Sequence, residues 1–427
     1  MMRFPHSLTL PALNDTINPA NAHKYIIIYE VFNMIIKPKV KAFLCSTAHP
    51  LGCEEHVRRQ IQYVKDTPAE AFPAEAPKKV LVIGCSTGYG LSARIAAAYR
   101  YGAATLGVCR EKSPSENRTA SPGWYNYNAF DKLASADGIW AKTLNEDAFL
   151  TATKKKAVEI IKEELGQVDM IIYSLAAPKR ATDDGTVYRS ALKTTGQPFI
   201  SKDLNLETLE IVEGRMECAT EQEIADSIKV MGGEDWYDWI TVLSEAGVLK
   251  EGSTTVAFSY LGPELTYPIY SHGTMGFAKK HLYETSVKIT EDFKDRGIKG
   301  YVSMNKSMIT QASIAIPMGP IYIAIAKKVM QDKGCYENCI QQMDRLLKEK
   351  MAPGRPVIAD EDNIIRLDDF ELQEHVQKQI SWNMDHITTE NAEELAGLSD
   401  YWLDFYNMFG FKFDNIDYDK DVSPFYE

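Results

Sequence analysis

The chain is short of the features that tie a protein to an oxidising compartment, a membrane span or a polyanion. Its seven cysteines, at positions 45, 53, 85, 109, 218, 335 and 339, are odd in number, with no C-x-x-C pair and no regular spacing. That excludes a disulfide framework as the organising device and points to a reducing, cytoplasmic setting. The most apolar stretches are broken, 25–36 by Glu30 and 312–326 by Pro317, Gly319 and Pro320. Neither supplies the roughly 20 apolar residues of a membrane span, so no membrane insertion is expected. The N-terminus lacks the succession of charged region, apolar region and cleavage site that marks a secretory leader. Positive charge is also scarce: 47 Lys and Arg face 59 Asp and Glu, a formal net charge of -12. Nucleic acid and anionic membrane surfaces both demand the opposite sign and are disfavoured as partners.

What is present suits a soluble globular chain. A 45% hydrophobic content over 427 residues supports a sizeable core, in two or three domains or in one open α/β sheet carrying a large insertion. Residues 1–33, with Pro5, Pro11 and Pro19, support no periodic element, whereas a cleaner pattern opens at Met34-Ile35-Ile36-Lys37-Pro38-Lys39. The functional chain is expected to begin near Met34. Cys45, His49, Cys53 and His56 follow at spacings of four, four and three, numerically compatible with metal ligands on a helix. Pro50 and Gly52 would interrupt that helix, and a structured loop capping the sheet edge, with no metal, is expected instead.

The stretch that organises the chain is Lys79-Val80-Leu81-Val82-Ile83-Gly84-Cys85-Ser86-Thr87-Gly88-Tyr89-Gly90. A short apolar run reads as a buried parallel strand, and the glycines lead it into a helix whose free N–H groups attract phosphate. Strand and helix patterns then alternate. Strands are predicted at 80–83, 104–109, 140–144 and 168–175, with helices at 91–101, near Phe130, and at 148–166. This alternation predicts a Rossmann-type, doubly wound parallel sheet. Residues 178–253 break the pattern and are expected to form a lid or subdomain over the site, with Asp235 as a helix N-cap. Alternation resumes across 254–330, so the core spans about 80–176 and 254–330. The acidic, aromatic segment 352–427 is expected to wrap the outside of this single domain.

In such a sheet the strand C-termini face the cofactor crevice. Glu111, 21 residues after Gly90, is placed to accept hydrogen bonds from both adenosine ribose hydroxyls and to repel a 2′-phosphate, favouring NADH. The neighbouring cations Arg110 and Lys112 argue the other way. Asp147 reads equally as an adenine contact and as a helix N-cap, and Leu175 and Ala176 let the backbone approach the cofactor. Cys85 reads as a small packing residue. Chemistry is expected around Tyr260 and in Tyr270 to Lys279. The nine-residue separation of Tyr270 and Lys279 would send them to opposite helix faces, about 900° apart in rotation, if both were helical. Gly273 and Gly276 allow Tyr270 to lie in the preceding loop so that the two converge. An ammonium near a phenol tunes the proton donor. His272 is an alternative acid or a solvated loop residue. Residues 312–326 suit an acyl-chain wall or a buried helix. Lys280, Lys327 and Lys328 suit a cationic rim or a solvated face.

Taken together, Met34-Ile-Ile-Lys-Pro-Lys39, Thr47-Ala-His-Pro-Leu-Gly-Cys53, Gly84 to Gly90, Pro122-Gly-Trp-Tyr125, Tyr173-Ser-Leu-Ala176, Val230 to Trp236 and the Tyr270/Lys279 spacing resemble the FabV-type enoyl-acyl-carrier-protein reductases and the related trans-2-enoyl-CoA reductases. The resemblance covers essentially everything after Met34. It implies a monomeric enzyme that uses NADH to reduce the carbon–carbon double bond of a trans-2-enoyl thioester, on acyl carrier protein or coenzyme A, in fatty-acid biosynthesis. By position it implies that Gly84, Cys85, Ser86, Thr87, Gly88 and Tyr89 hold the pyrophosphate. Arg110 and Glu111 would hold the ribose, and Asp147 and Ala148 the adenine. Leu175, Ala176, Lys279, Met308, Ile309 and Thr310 would line the nicotinamide half, with Tyr260 on the thioester carbonyl and Tyr270 as proton donor. A short-chain-type carbonyl reductase, which usually carries Tyr and Lys four apart on one helix, and a dinucleotide sensor without turnover are the competing readings.

Overall fold

The computed structural model describes residues 34–41, 44–68 and 76–426, so the expectation about residues 1–33 lies outside the described residues. Seven strands form the central sheet: β1 (Lys79–Ile83), β2 (Ala104–Cys109), β3 (Ala141–Asn145), β4 (Val168–Tyr173), β5 (Leu249–Ser259), β6 (Lys299–Met304) and β7 (Ile364–Arg366). Their order is β7-β6-β5-β4-β1-β2-β3, and every neighbouring pair is parallel. The winding therefore reverses between β1 and β4, which opens a crevice at the strand C-termini there.

β1 shows why the run is apolar without alternation. Val80 and Val82 enter one core and Leu81 and Ile83 the other, all four fully buried. Each such side chain contributes about 1.5–3 kcal/mol by leaving water. The helices are α1 (Pro50–Asp66), α2 (Gly88–Tyr101), α3 (Pro122–Ala136), α4 (Thr151–Ile160), α5 (Glu221–Met231), α6 (Glu234–Glu245), α7 (Thr274–Asp292), α8 (Gly319–Asp332), α9 (Cys339–Arg345), α10 (Glu374–His386), α11 (Ala392–Ala396) and α12 (Leu398–Met408). Those packed in the Val80/Val82 core are α1, α2, α3 and α9, and those in the Leu81/Ile83 core are α4, α6 and α7. A third cluster seats α8 against α10, α11 and α12.

Several expectations need correction. Pro50 opens α1 rather than breaking a helix, because a first-turn proline has no N–H to lose. His49 caps that helix, its Nδ1 accepting from Gly52 N at 3.3 Å. Among the described residues no group of three or more His, Cys, Asp or Glu is placed to hold a metal. β3 ends at Asn145, one residue beyond the predicted strand, and α4 starts at Thr151 rather than 148. The break at 178–253 is only partly an excursion. Two hairpins, Lys179–Ala181 with Val187–Arg189 and Phe199–Leu204 with Ile211–Met216, and α5 stand apart from the sheet. α6, however, buries Trp236 and Trp239 completely in the sheet core, and β5 already begins at Leu249. Asp235 is not the N-cap of α6, which is Gly233. It is a buried anion paired with Lys154 at 2.6 Å and accepting from Tyr173 OH at 3.0 Å. The segment from 352 is more than a wrapping: it supplies β7.

Candidate active site

The glycine turn sits at the crevice. Gly84 has φ 83°, and a Cβ there would lie 2.4 Å from the Ser174 carbonyl oxygen. At Gly90 a Cβ would meet the Gly84 carbonyl oxygen at 1.9 Å. Only residues without a side chain allow β1 to turn into α2 so close to β4. At Gly88 a Cβ would come within 3.3 Å of Thr310 Cγ2, so the 308–310 loop lies directly against the turn. Tyr89 OH donates to the Lys306 carbonyl at 2.7 Å and secures the same loop from the helix side. Cys85 is fully buried, in keeping with a packing role. Leu175 follows β4 beside Gly84, its N–H nitrogen 2.9 Å from where a Cβ would be, and Ala176 comes next.

Glu111 is held by its surroundings. Ser86 Oγ donates to Oε1 at 2.6 Å and Ser121 Oγ to Oε2 at 2.5 Å. Its backbone N–H donates to Asn145 Oδ1 at 2.7 Å. A Cβ at Gly123 would sit 2.2 Å from Oε1. Burial raises the carboxyl above its ordinary value, and the two serine hydroxyls pull it back. Each oxygen retains a lone pair beyond the serine it accepts from, which suits a vicinal diol. Arg110 donates to Asp147 Oδ2 at 2.5 Å, so its charge is engaged by a carboxylate. Asp147 does not cap α4, whose N-cap is Leu150; it accepts from Phe149 N at 3.1 Å. Ala148 is buried, its carbonyl accepting from Trp239 Nε1 and Lys154 Nζ.

The tyrosines come together beyond the end of β5. Tyr260 and Tyr270 stand edge to face with ring centroids 4.7 Å apart. Tyr270 lies in the turn before α7 and Lys279 on the helix itself. Residues of the excursion strap this turn: Thr194 bridges Gly273, and Thr195 Oγ1 donates to the His272 carbonyl at 2.5 Å. His272 itself is exposed. Burial foremost, then the negative charge of Glu371, raises both phenols, so each keeps its proton at neutral pH. Their hydroxyls differ. Tyr260 OH donates to Glu371 Oε1 at 3.1 Å, whereas Tyr270 OH has no hydrogen-bond partner among the described residues. Burial lowers the Lys279 ammonium to about 8.

This arrangement sets two phenols beyond the C-terminal end of the strand next to the glycine turn's crevice, and comparison with known proteins names the group to which the chain belongs. A family described as the trans-2-enoyl-CoA reductase catalytic region matches residues 118–352. The NAD(P)H binding domain of trans-2-enoyl-CoA reductase matches residues 35–116. The chain belongs to the trans-2-enoyl-CoA reductase family. Among its relatives, an enoyl-[acyl-carrier-protein] reductase [NADH] of Flavobacterium johnsoniae is 46% identical over 91% of this chain and 98% of its own length. One from Shewanella baltica is 47% identical over 92% and 98%. The trans-2-enoyl-CoA reductase of Clostridium acetobutulicum, solved in complex with NADH, superposes with a TM-score of 0.88 at 39% identity, covering 92% of this chain and 98% of that one. That of Treponema denticola, in complex with NAD, gives 0.87 at 43%, covering 92% and 99%.

The reductase has residues that fit a nicotinamide dinucleotide. At the glycine turn, a cavity of about 260 Å³ touches Thr87, Gly88, Met308 and Ile309, and two buried polar atoms of its lining residues, Asn126 Oδ1 and Gln311 Nε2, lack a partner among the described residues; most of the rest of its wall comes from α1, the start of α9 and residues 404–413, and it reaches none of Glu111, Tyr260 and Tyr270. A third family, described as an enoyl reductase FAD binding domain, matches residues 359–422. This segment does not fit a flavin cradle: Val376, Ile380, Tyr401 and Phe405 are fully buried in one cluster with Ile321 and Ile325 of α8. Its contribution to the site is Glu371, which sequence reasoning missed because a carboxylate in an acidic tail gives no signal. Ser121 was missed too, although its place before Pro122-Gly123 marks a helix entry next to Glu111.

Proposed function

We propose that this reductase uses NADH to convert trans-2-enoyl thioesters to saturated acyl thioesters in fatty-acid biosynthesis, acting as a cytoplasmic monomer. The observation that carries the proposal is the contrast between the two phenols: the O–H of Tyr270, a residue 2% exposed, has no partner among the described residues, while that of Tyr260 is committed to Glu371. When bound, NADH supplies the hydride for the β-carbon. Gly84 to Tyr89 hold its pyrophosphate, Glu111 with Arg110 the ribose, and Asp147 and Ala148 the adenine. Leu175, Ala176, Lys279 and Met308 to Thr310 enclose the nicotinamide half. Charge would then develop on the thioester oxygen as an enolate, where the Tyr270 O–H stabilises it and supplies the proton that ends on the α-carbon, the phenolate being reprotonated from solvent. Tyr260 closes the thioester pocket.

The deciding assay follows NADH oxidation with crotonyl-CoA, with a matched enoyl-carrier substrate and with a ketone panel. Turnover confined to ketones would remove the proposal, and the carrier-to-CoA ratio of kcat/KM assigns the acyl carrier. Mass by sedimentation tests the monomer.

Glu111→Ala is expected to reduce the preference for NADH over NADPH about 10- to 100-fold, the worth of a charged hydrogen bond. Ser121→Ala, which frees one carboxylate oxygen, should reduce it less. Ratios of kcat/KM for the two cofactors measure both. Lys279 carries charge below about pH 8 and loses it above, so KM for NADH should rise as pH increases through that value. Lys306, also lowered to about 8 by burial, titrates in the same window. Lys279→Arg, which stays cationic, separates them by abolishing the rise.

A further inference from the structure

The side chain of Glu371 is fully buried and accepts four hydrogen bonds. Tyr322 OH of α8 donates to Oε1 at 2.6 Å, Ser307 Oγ to Oε1 at 3.0 Å, Ser307 N to Oε2 at 2.7 Å, and Tyr260 OH to Oε1 at 3.1 Å. Its own carbonyl is tied to α10 by Gln377 Nε2 at 2.7 Å. A buried carboxylate with this many donors is a rigid node, since losing any one of them leaves charge uncompensated. Two of the donors belong to opposite halves of the reaction. Tyr260 forms the surface against which the Tyr270 ring stands, and Ser307 leads directly into the 308–310 loop packed on Gly88.

We propose that Glu371 is a positioning residue for the reduction: by anchoring Tyr260 and Ser307 on one carboxylate, it fixes the proton-donating phenol of Tyr270 in register with the loop that seats the nicotinamide. The C-terminal segment thereby sets the geometry of a step whose reacting groups all lie elsewhere in the chain. Tyr260 cannot donate to the thioester oxygen while its single O–H donates to Glu371, so its part is to support Tyr270. This inference rests on the reductase activity proposed above.

A double-mutant cycle on kcat with crotonyl-CoA, alongside NADH affinity and thermal midpoint, tests it. Glu371→Gln is expected to lower kcat about 10-fold in the unmodified chain but no more than about 3-fold in a Tyr260→Phe background, because the anchored hydroxyl is already gone. A purely structural carboxylate would lower the thermal midpoint and reduce kcat by the same factor in both backgrounds, which would overturn the proposal. If Glu371→Gln does not fold, Tyr322→Phe serves in its place, since its hydroxyl donates to Glu371 and makes no hydrogen bond to Tyr260. A loss of about 2- to 5-fold that disappears in the Tyr260→Phe background supports the proposal, and an equal loss in both overturns it. Absence of enoyl turnover by the unmodified chain would instead remove the reductase reading, and this inference with it.

Discussion

Tyr270→Phe is expected to lower kcat with crotonyl-CoA by about 10²- to 10⁴-fold, the range of a positioned general acid, while leaving NADH affinity and thermal midpoint unchanged. The substitution removes one oxygen from a ring that is 2% exposed and whose hydroxyl has no partner among the described residues, so the fold loses no hydrogen bond. Tyr260→Phe removes a hydroxyl that Glu371 does accept and should therefore reduce stability as well as rate. Steady-state NADH oxidation and cofactor titration on the two variants distinguish a donor from a support. Unchanged kcat in Tyr270→Phe would transfer the proton to another group.

The largest expected effect on stability falls on Asp235→Ala. Asp235 and Lys154 are almost wholly buried and meet at 2.6 Å. Burial raises the Asp235 carboxyl, and the Lys154 charge opposes the rise. Removing the anion leaves an ammonium held only by neutral groups, the carbonyls of Ala148 and Phe149 and the Trp239 ring. Breaking a buried pair from one side costs about 3–5 kcal/mol, whereas replacing both members by apolar residues of similar volume is close to neutral. The urea midpoint of Asp235→Ala should fall by the equivalent of that energy, and the Asp235→Leu/Lys154→Met pair should recover most of it. Because Lys154 also holds the carbonyls beside Asp147, KM for NADH is expected to rise in the single variant.

Much of the fold was legible because local patterns and global architecture agree along the first half of the chain. The run at Val80 to Ile83 is buried on both faces, as a central parallel strand must be, and the glycines after it are required by backbone approaches of 1.9–2.4 Å. The break after Ala176 misled for a physical reason. α6 presents Trp236 and Trp239 to the core, but its charged first turn imitates a surface helix, and the Lys154 that neutralises Asp235 is 81 residues away. Ion pairs of that range leave no periodicity. β7 was hidden for a similar reason, since three residues at a sheet edge are too few to show a period.

The sequence by itself determined a glycine turn at Gly84 to Gly90 that leads a buried parallel strand into a helix, a carboxylate, Glu111, just after the next strand, and Tyr260, Tyr270 and Lys279 near each other in the chain. Those features depend on short-range spacing, which a linear pattern records. The tertiary structure alone decided how each group is held. Ser86 and Ser121 clamp Glu111, Arg110 is turned to Asp147, and Glu371, 111 residues beyond Tyr260, accepts the hydrogen bond of one phenol while the other has no partner among the described residues. Hydrogen-bond allocation depends on which side chains meet in space, and distant segments of the chain meet only in the folded protein.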